Sequence, residues 1–202
     1  MGKEKHLKDV ENLFKKSLVV NAKSIKAIVN KKRNIKQYAK QLIRNLILKG
    51  KIKRITKGFY TSRDDISLAV FCFKPSYLGL QDALSFHNLW EQETVPVIIS
   101  ARKIRPGIRS IMGSNVLIRR ISKKYLFGFD YYNHANVYLP YSDVEKTLID
   151  TVYFNEKLNK EILDNIKEKI DMKKLELYLR AYPKKFRDKT LGLINQKKKI
   201  YA

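Results

Sequence analysis

Asn34-Ile-Lys-Gln-Tyr-Ala-Lys-Gln-Leu-Ile-Arg-Asn-Leu-Ile-Leu-Lys-Gly50, followed at once by Lys51-Ile-Lys-Arg-Ile-Thr-Lys-Gly-Phe-Tyr-Thr61, is the stretch that decides the fold. Ile35, Tyr38, Ala39, Leu42, Ile43, Leu46 and Ile47 recur at helical spacing, which predicts a helix from about Ile35 to Lys49 with these residues inward. Asn34 can cap it, with Gln37 reaching back as in a capping box, and Gly50 stops it. Lys57 and Gly58 then sit between two β-prone runs, as a tight hairpin requires. Ile52 and Ile55 are three apart, so the strands should be short and twisted. Upstream, Leu7, Val10, Phe14 and Leu18 predict one helix, and Ile25, Ile28 and Val29 a second, with a polar turn at Asn30 to Arg33. Three helices followed by a basic hairpin spell a winged helix-turn-helix.

Charge says what such a module meets. From Asn12 to Arg63 there is no Asp or Glu among 52 residues, against 16 Lys or Arg. Residues 1–63 carry net +16, residues 64–158 net +1 and residues 159–202 net +7, of a total of +24. A heat-adapted surface would mix Glu among its Lys in ion-pair networks. Here the acids are missing, which points to a polyanion.

A helix fits the major groove, and this one offers long donors on its outer face. Lys36, Lys40 and Arg44 lie one turn apart, and Gln37 and Gln41 share that side. Gln can pair bidentately with adenine and Arg with guanine. Lys51, Lys53, Arg54 and Lys57 would hold flanking phosphates or enter the minor groove. These nine residues are the candidate DNA-binding site.

The rest of the chain reads as a mixed α and β body. A turn after Pro75 leads into a helix from about Leu80 to Leu89. Strands are predicted at Val95 to Ala101, Val116 to Ile121, Tyr125 to Phe129 and Asn136 to Leu139, with Pro140 ending the last. Ser142-Asp-Val-Glu145 reads as a capping box, opening a helix whose core face is Val144, Leu148, Ile149 and Val152. Ile162, Ile166 and Ile170, then Leu175, Leu179 and Tyr182, predict two helices, and Pro183 separates them from a third with Phe186, Leu191 and Ile194. Lys197 to Lys199 reads as a frayed tail. The expected class is α+β: a winged helix-turn-helix over 1–63, then 64–202, made of a mixed α/β part (64–158) and a C-terminal helical bundle (159–202).

Several function classes are disfavoured. The apolar runs are far below the roughly 18 to 20 residues of a membrane span, and no signal-peptide core follows Met1, so a cytoplasmic, reduced protein is expected. Cys72 is alone in the apolar run Ile66 to Phe73, which leaves neither a disulfide framework nor a thiolate metal site. Asp130, Asp143, Glu145 and Asp150 flank Lys146, as a metal-dependent nuclease would need. Glu145 is better explained as a cap and Lys146 as a helical-spacing partner of Asp150. His87 and His134 stand on unrelated elements. No enzyme activity, metal or cofactor is expected. A second basic group, Arg102, Lys103, Arg105 and Arg109 around Pro106-Gly107, then Arg119, Arg120, Lys123 and Lys124, is either a solvated loop or a second phosphate-binding surface. Strand alternation puts Arg119 and Arg120 on opposite faces.

Pro75-Ser-Tyr-Leu-Gly-Leu-Gln-Asp-Ala-Leu-Ser-Phe-His87, the Val-Pro-Val-Ile-Ile run at 95–99, Phe127-Gly128 and Glu145-Lys146-Thr-Leu-Ile-Asp150 together resemble the AbiEi antitoxin family. So does the Lys57-Gly-Phe-Tyr60 ending of the hairpin. The resemblance covers residues 10 to 155. It departs at Asn88, where the family often has Gly, and at Val144 and Thr147, which replace Pro and Ala. The resemblance implies the antitoxin of a type IV toxin-antitoxin system. Its winged helix would bind inverted repeats upstream of its own operon and repress it, opposite a nucleotidyltransferase-like toxin. Double-stranded DNA is then the partner, and the chain a monomer or weak dimer. The alternatives are an RNA-binding or toxin-sequestering interaction protein, or a stand-alone regulator without a toxin.

Overall fold

A computed structural model describes residues 2–29, 36–92, 94–134 and 136–195. The turn expected at Asn30 to Arg33, the cap at Asn34, the first stripe residue Ile35 and the tail Lys197 to Lys199 lie outside them. The fold is mixed α and β, and it divides into two compact units. The first comprises Met1–Phe73 with Arg109–Asn115, and the second Lys74–Ile108 with Val116–Ala202.

In the first unit α1 (Gly2–Lys16) leads through β1 (Val20–Asn21) to α2 (Ala22–Val29), then to α3 (Lys36–Leu48), β2 (Lys53–Thr56) and β3 (Phe59–Thr61). Asn21 accepts the Ser24 N–H at 2.8 Å and so caps α2 while also pairing with Phe59. The three strands form an antiparallel sheet ordered β1-β3-β2. Arg54 pairs with Tyr60 but Thr56 with Phe59, so Ile55 is bulged out of the ladder. Ile52 and Ile55, three residues apart, are both buried, Ile52 in the core that the helices of this unit share. Gly58 closes the turn at φ +83°, a conformation that costs other residues a steric clash. Val10, Phe14, Ile25, Val29, Ala39, Leu42, Ile43 and Leu46 make the core.

Ile47 does not belong to that core: it is 38% exposed. The buried face of α3 is centred on Ala39, Leu42, Ile43 and Leu46, and Ile47 lies about a quarter-turn from its middle. A 3-10 helix, Ile66–Cys72, then ends the main segment of this unit, capped by Asp65, which accepts the Ser67 N–H. It buries Leu68, Ala69, Val70 and Cys72.

The second unit is built on β4 (Ser76–Leu78), α4 (Gln81–Phe86), β5 (Val97–Ser100), β6 (Gly107–Ile111), β7 (Ser114–Arg120), β8 (Phe129–His134) and β9 (Val137–Ser142). These strands form a six-stranded mixed sheet ordered β6-β7-β5-β4-β9-β8, whose β6–β7 hairpin tip, Arg109–Asn115, is assigned to the first unit. β4 runs antiparallel to β5 and parallel to β9, and β5 runs parallel to β7. Four helices follow: α5 (Val144–Tyr153), α6 (Lys160–Lys169), α7 (Met172–Leu179) and α8 (Lys184–Asn195). Ile162, Ile166, Leu175, Leu179 and Tyr182 enter the same core as Tyr77, Val97, Ile99, Leu148 and Ile149.

The structure departs from four further local expectations. The helix expected over Leu80 to Leu89 is only Gln81–Phe86, because the chain turns through a positive φ at Asn88. Tyr125 to Phe129 is not a strand. Lys123–Tyr125 forms a 3-10 turn, Tyr125 stacks on Tyr182 at 4.2 Å, and Gly128 at φ +71° breaks the extended path before Phe129. Pro140 does not end β9 but lies inside it opposite Tyr131; the β4 side of β9 is registered at the single pair Leu78↔Tyr141, which tolerates a residue without an N–H. The cap of α5 is Asp143, which accepts the Lys146 N–H at 2.7 Å. Ser142 instead ends β9, and Glu145 accepts the Asp171 N–H at 2.8 Å.

Candidate nucleic-acid interface

The outward side of α3 follows from its inward side: with Ala39, Leu42, Ile43 and Leu46 buried, Gln37, Lys40, Gln41 and Arg44 are exposed. Lys36 opens the helix. Gln41 donates its Nε2–H to Asn45 Oδ1 at 3.3 Å, one turn along, so Asn45 shares the amide row on one flank. Leu48 is 74% exposed on the same side as Gln37 and Gln41, an apolar neighbour that residue-type reasoning about donors passes over. A cleft of about 450 Å³ adjoins this flank, lined by Leu7, Leu42 and Leu46 together with Gln41, Asn45 and Lys51.

The four hairpin cations are not equivalent. Arg54 and Lys57 are exposed, the second beside the Gly58 turn. Lys51 is paired with Glu11 of α1 at 2.5 Å, and Lys53 with Asp64. Both acids lie outside the acid-free run, before and after it. These ion pairs are about half exposed on the lysine side, so each holds its lysine only weakly against a phosphate.

The second basic group is sorted by the parallel pair β5–β7. Ser100 is registered with Arg120, so the segments leaving β5 and β7 emerge at one end of the sheet. That brings Arg102, Lys103 and Arg105 to the same end as Arg120, Lys123 and Lys124, all exposed. Arg119, pointing the other way, pairs with Glu156 and lies over the Phe154 ring. Arg109 is in the first unit, over the Phe73 ring at 5.6 Å.

The carboxylates around Lys146 serve the interior of the second unit. Lys146 and Asp150 are fully buried and paired, and the Tyr77 hydroxyl donates to Asp150 Oδ2 at 2.7 Å. Phe127 and Tyr77 present ring faces to the Lys146 ammonium at 5.4 and 5.7 Å. Burial dominates at both ends, pushing the Lys146 ammonium down and the Asp150 carboxyl up against their mutual attraction. Burial and the Asp150 carboxylate hold the Tyr77 hydroxyl well above its usual range. Lys174 joins Asp143 and Glu145 at 3.0 and 3.1 Å. Burial alone would lower its ammonium, but those two hydrogen bonds raise it. Tyr178 donates to Asp143 at 2.8 Å, and burial with that carboxylate pushes its hydroxyl up to about 12. Asp130 stands apart, exposed on β8. Among the described residues no group of three or more His, Cys, Asp or Glu is placed to hold a metal ion. His87 donates to the Ser142 carbonyl at 2.7 Å with Phe86 and Tyr132 around its ring. Among the described residues no helix is long and apolar enough to cross a membrane.

Gly128 explains the Phe127-Gly128 pair. A Cβ there would sit 2.8 Å from both Lys146 Cβ and a Tyr178 ring carbon, so the backbone must pass bare over the buried lysine.

No family model matches the chain, and no curated protein matches it. Among solved structures it is similar to the crystal structure of the RV2827C protein from Mycobacterium tuberculosis, at 14% identity and a TM-score of 0.57, over 93% of this chain and 74% of that one. A likeness at that identity is one of fold: a mixed α and β architecture.

Proposed function

We propose that this protein is a duplex-DNA-binding transcriptional regulator, with its first unit a winged helix-turn-helix in which α3 is the recognition helix and the β2–β3 hairpin the wing. The observation that carries this reading is the outer face of α3. Gln37, Lys40, Gln41 and Arg44 are exposed together with no acid among them, and exposed Arg54 and Lys57 follow on the hairpin. A face built for solubility alone would mix both signs. Lys40 and Arg44 reach phosphates or guanine and the glutamines reach adenine, while the hairpin fixes register on the backbone. The basic end of the β5–β7 pair supplies further cations that suit phosphates, and α6 to α8 form a C-terminal helical bundle.

Within that class the AbiEi resemblance favours an autoregulating type IV antitoxin that represses its own operon and opposes a nucleotidyltransferase-like toxin. An adjacent frame encoding such a toxin supports the antitoxin; an isolated gene favours a plain regulator. The direct test is the double variant Lys40→Glu/Arg44→Glu. Both side chains face solvent, so it should fold as wild type by circular dichroism yet lose binding to DNA from upstream of its own gene. Retained affinity in the folded variant sinks the assignment. Competition with random duplex separates a repressor, which prefers its site by about 10³ or more, from a nonspecific nucleic-acid binder.

A further inference from the structure

We propose that the free edge of β8 pairs antiparallel with β8 of a second copy of this chain, about a twofold axis through Tyr132. β8 is the last strand of the six-stranded sheet: all six of its residues are registered with β9 on one side, and among the described residues the other side is an edge. Asp130, Tyr131, Asn133 and His134 are exposed. The Tyr131 N–H donates to Asp130 Oδ1 at 2.7 Å, so this backbone donor is met by the side chain of the preceding residue. An edge of this kind is a template for another strand.

The identity of that strand follows from the residue pattern. A twofold axis perpendicular to a sheet keeps like faces together, so residues of the same alternation meet across it. Centred on Tyr132, it sets Asp130 opposite His134 of the second copy, and the same pair forms again on the other side of the axis. Tyr131 falls opposite Asn133 in the same way, and the Tyr131 N–H exchanges Asp130 for the Asn133 carbonyl. Shifting the centre to Tyr131 puts Asp130 opposite Tyr132; shifting it to Asn133 moves Asp130 past His134. One register therefore matches the carboxylate to the imidazole twice. A lone Asp on an edge discourages arbitrary strands, and only a sequence with a base at the complementary position answers it.

The other face of the hairpin agrees. Tyr131 and Tyr138 are 50% and 61% exposed, and Tyr138 is registered with Asn133. In the joined sheet Tyr138 and Asn133 of one copy run on to Tyr131 of the other. The exposed rings of both copies thus form one aromatic face, the composition that association surfaces favour. This pairing rests on the edge itself; on the repressor reading, an inverted repeat would present its two half-sites to such a pair.

Sedimentation equilibrium of the full chain without DNA tests it. The expected result is a concentration-dependent monomer–dimer equilibrium. Asp130→His and His134→Asp, each placing like groups opposite one another, should weaken it about tenfold, and the double swap should restore it. Tyr132→Cys under mild oxidation should give a covalent dimer linked 132 to 132, since Cys72 is buried. A monomer at every attainable concentration overturns the proposal. So does a dimer indifferent to the single changes, a swap that does not recover association, or a Cys variant that stays monomeric on oxidation. DNA binding is read separately: a dimer with no operator preference removes the repressor reading and leaves the pairing intact.

Discussion

Lys146 is among the largest fully buried side chains, and its surroundings are arranged around its charge. With Asp150 paired, Tyr77 donating and two rings facing the ammonium, removing one partner strands the other in a low-dielectric interior. Asp150→Ala or Lys146→Ala should each cost about 3–5 kcal/mol in urea unfolding, and Lys146→Met/Asp150→Leu should recover most of it. A loss under about 1 kcal/mol for either single change would mean that water reaches the pair. Helical spacing suffices to match Lys146 with Asp150 in the sequence. Their burial is not legible there, because α5 is covered from Glu145 to Val152 and its charged residues read as a solvent face. Cys72 is the opposite case: an apolar run around a lone thiol already says buried, and burial pushes that thiol from 9.0 up to about 12. It should react with Ellman's reagent only as the chain unfolds. Between pH 9 and about 12 the unfolded state releases the thiol proton while the folded state keeps it. Stability falls as pH rises through that window, and Cys72→Ala should flatten the fall in urea midpoints.

Elements with a strong period were readable; those decided by distant partners were not. The stripe on α3 and the Lys57-Gly58 turn predict their elements to within a residue or two, whereas β1 is a two-residue bridge that exists because Asn21 meets Phe59. The Tyr125 to Phe129 run carries β-prone residues, yet its rings turn inward to Tyr178 and Tyr182 and the chain follows them. Gly128 is where that turn is made. Gly128→Ala combines a positive φ with two contacts at 2.8 Å, so it should cost about 2–5 kcal/mol, read as a drop in urea midpoint. On the hairpin, the acids that distinguish its cations lie at Glu11 and Asp64, beyond the window that suggested the site. If the hairpin holds phosphates, Arg54→Ala and Lys57→Ala should each reduce the slope of log affinity against log salt by about 0.9. Lys51→Ala and Lys53→Ala should reduce it less, because each lysine already neutralises a carboxylate. Equal slopes for all four would show that the ion pairs open freely on binding.

For the whole molecule, a net charge of +24 on 202 residues means that folding gathers like charges into a small volume. At low ionic strength this self-repulsion opposes the compact state, and added salt relieves it by screening. If the first unit binds duplex DNA as proposed, that polyanion should do the same more effectively, since it would bind the folded surface and stabilise it by mass action. The two influences pull apart in a calorimetric scan. Raising salt in the absence of DNA should raise Tm, while in the presence of excess random duplex it should lower Tm, because released counterions then favour dissociation. The crossing of those trends is specific to a folded surface that binds phosphate. If the chain were merely basic, duplex would engage unfolded and folded states alike and give no upward shift at low salt. The contrast should be largest in the transition of the first unit, which holds the exposed cations of α3 and the hairpin. Replacing Lys40 and Arg44 by Glu should shrink the duplex-induced shift there and leave the transition of the second unit where it was.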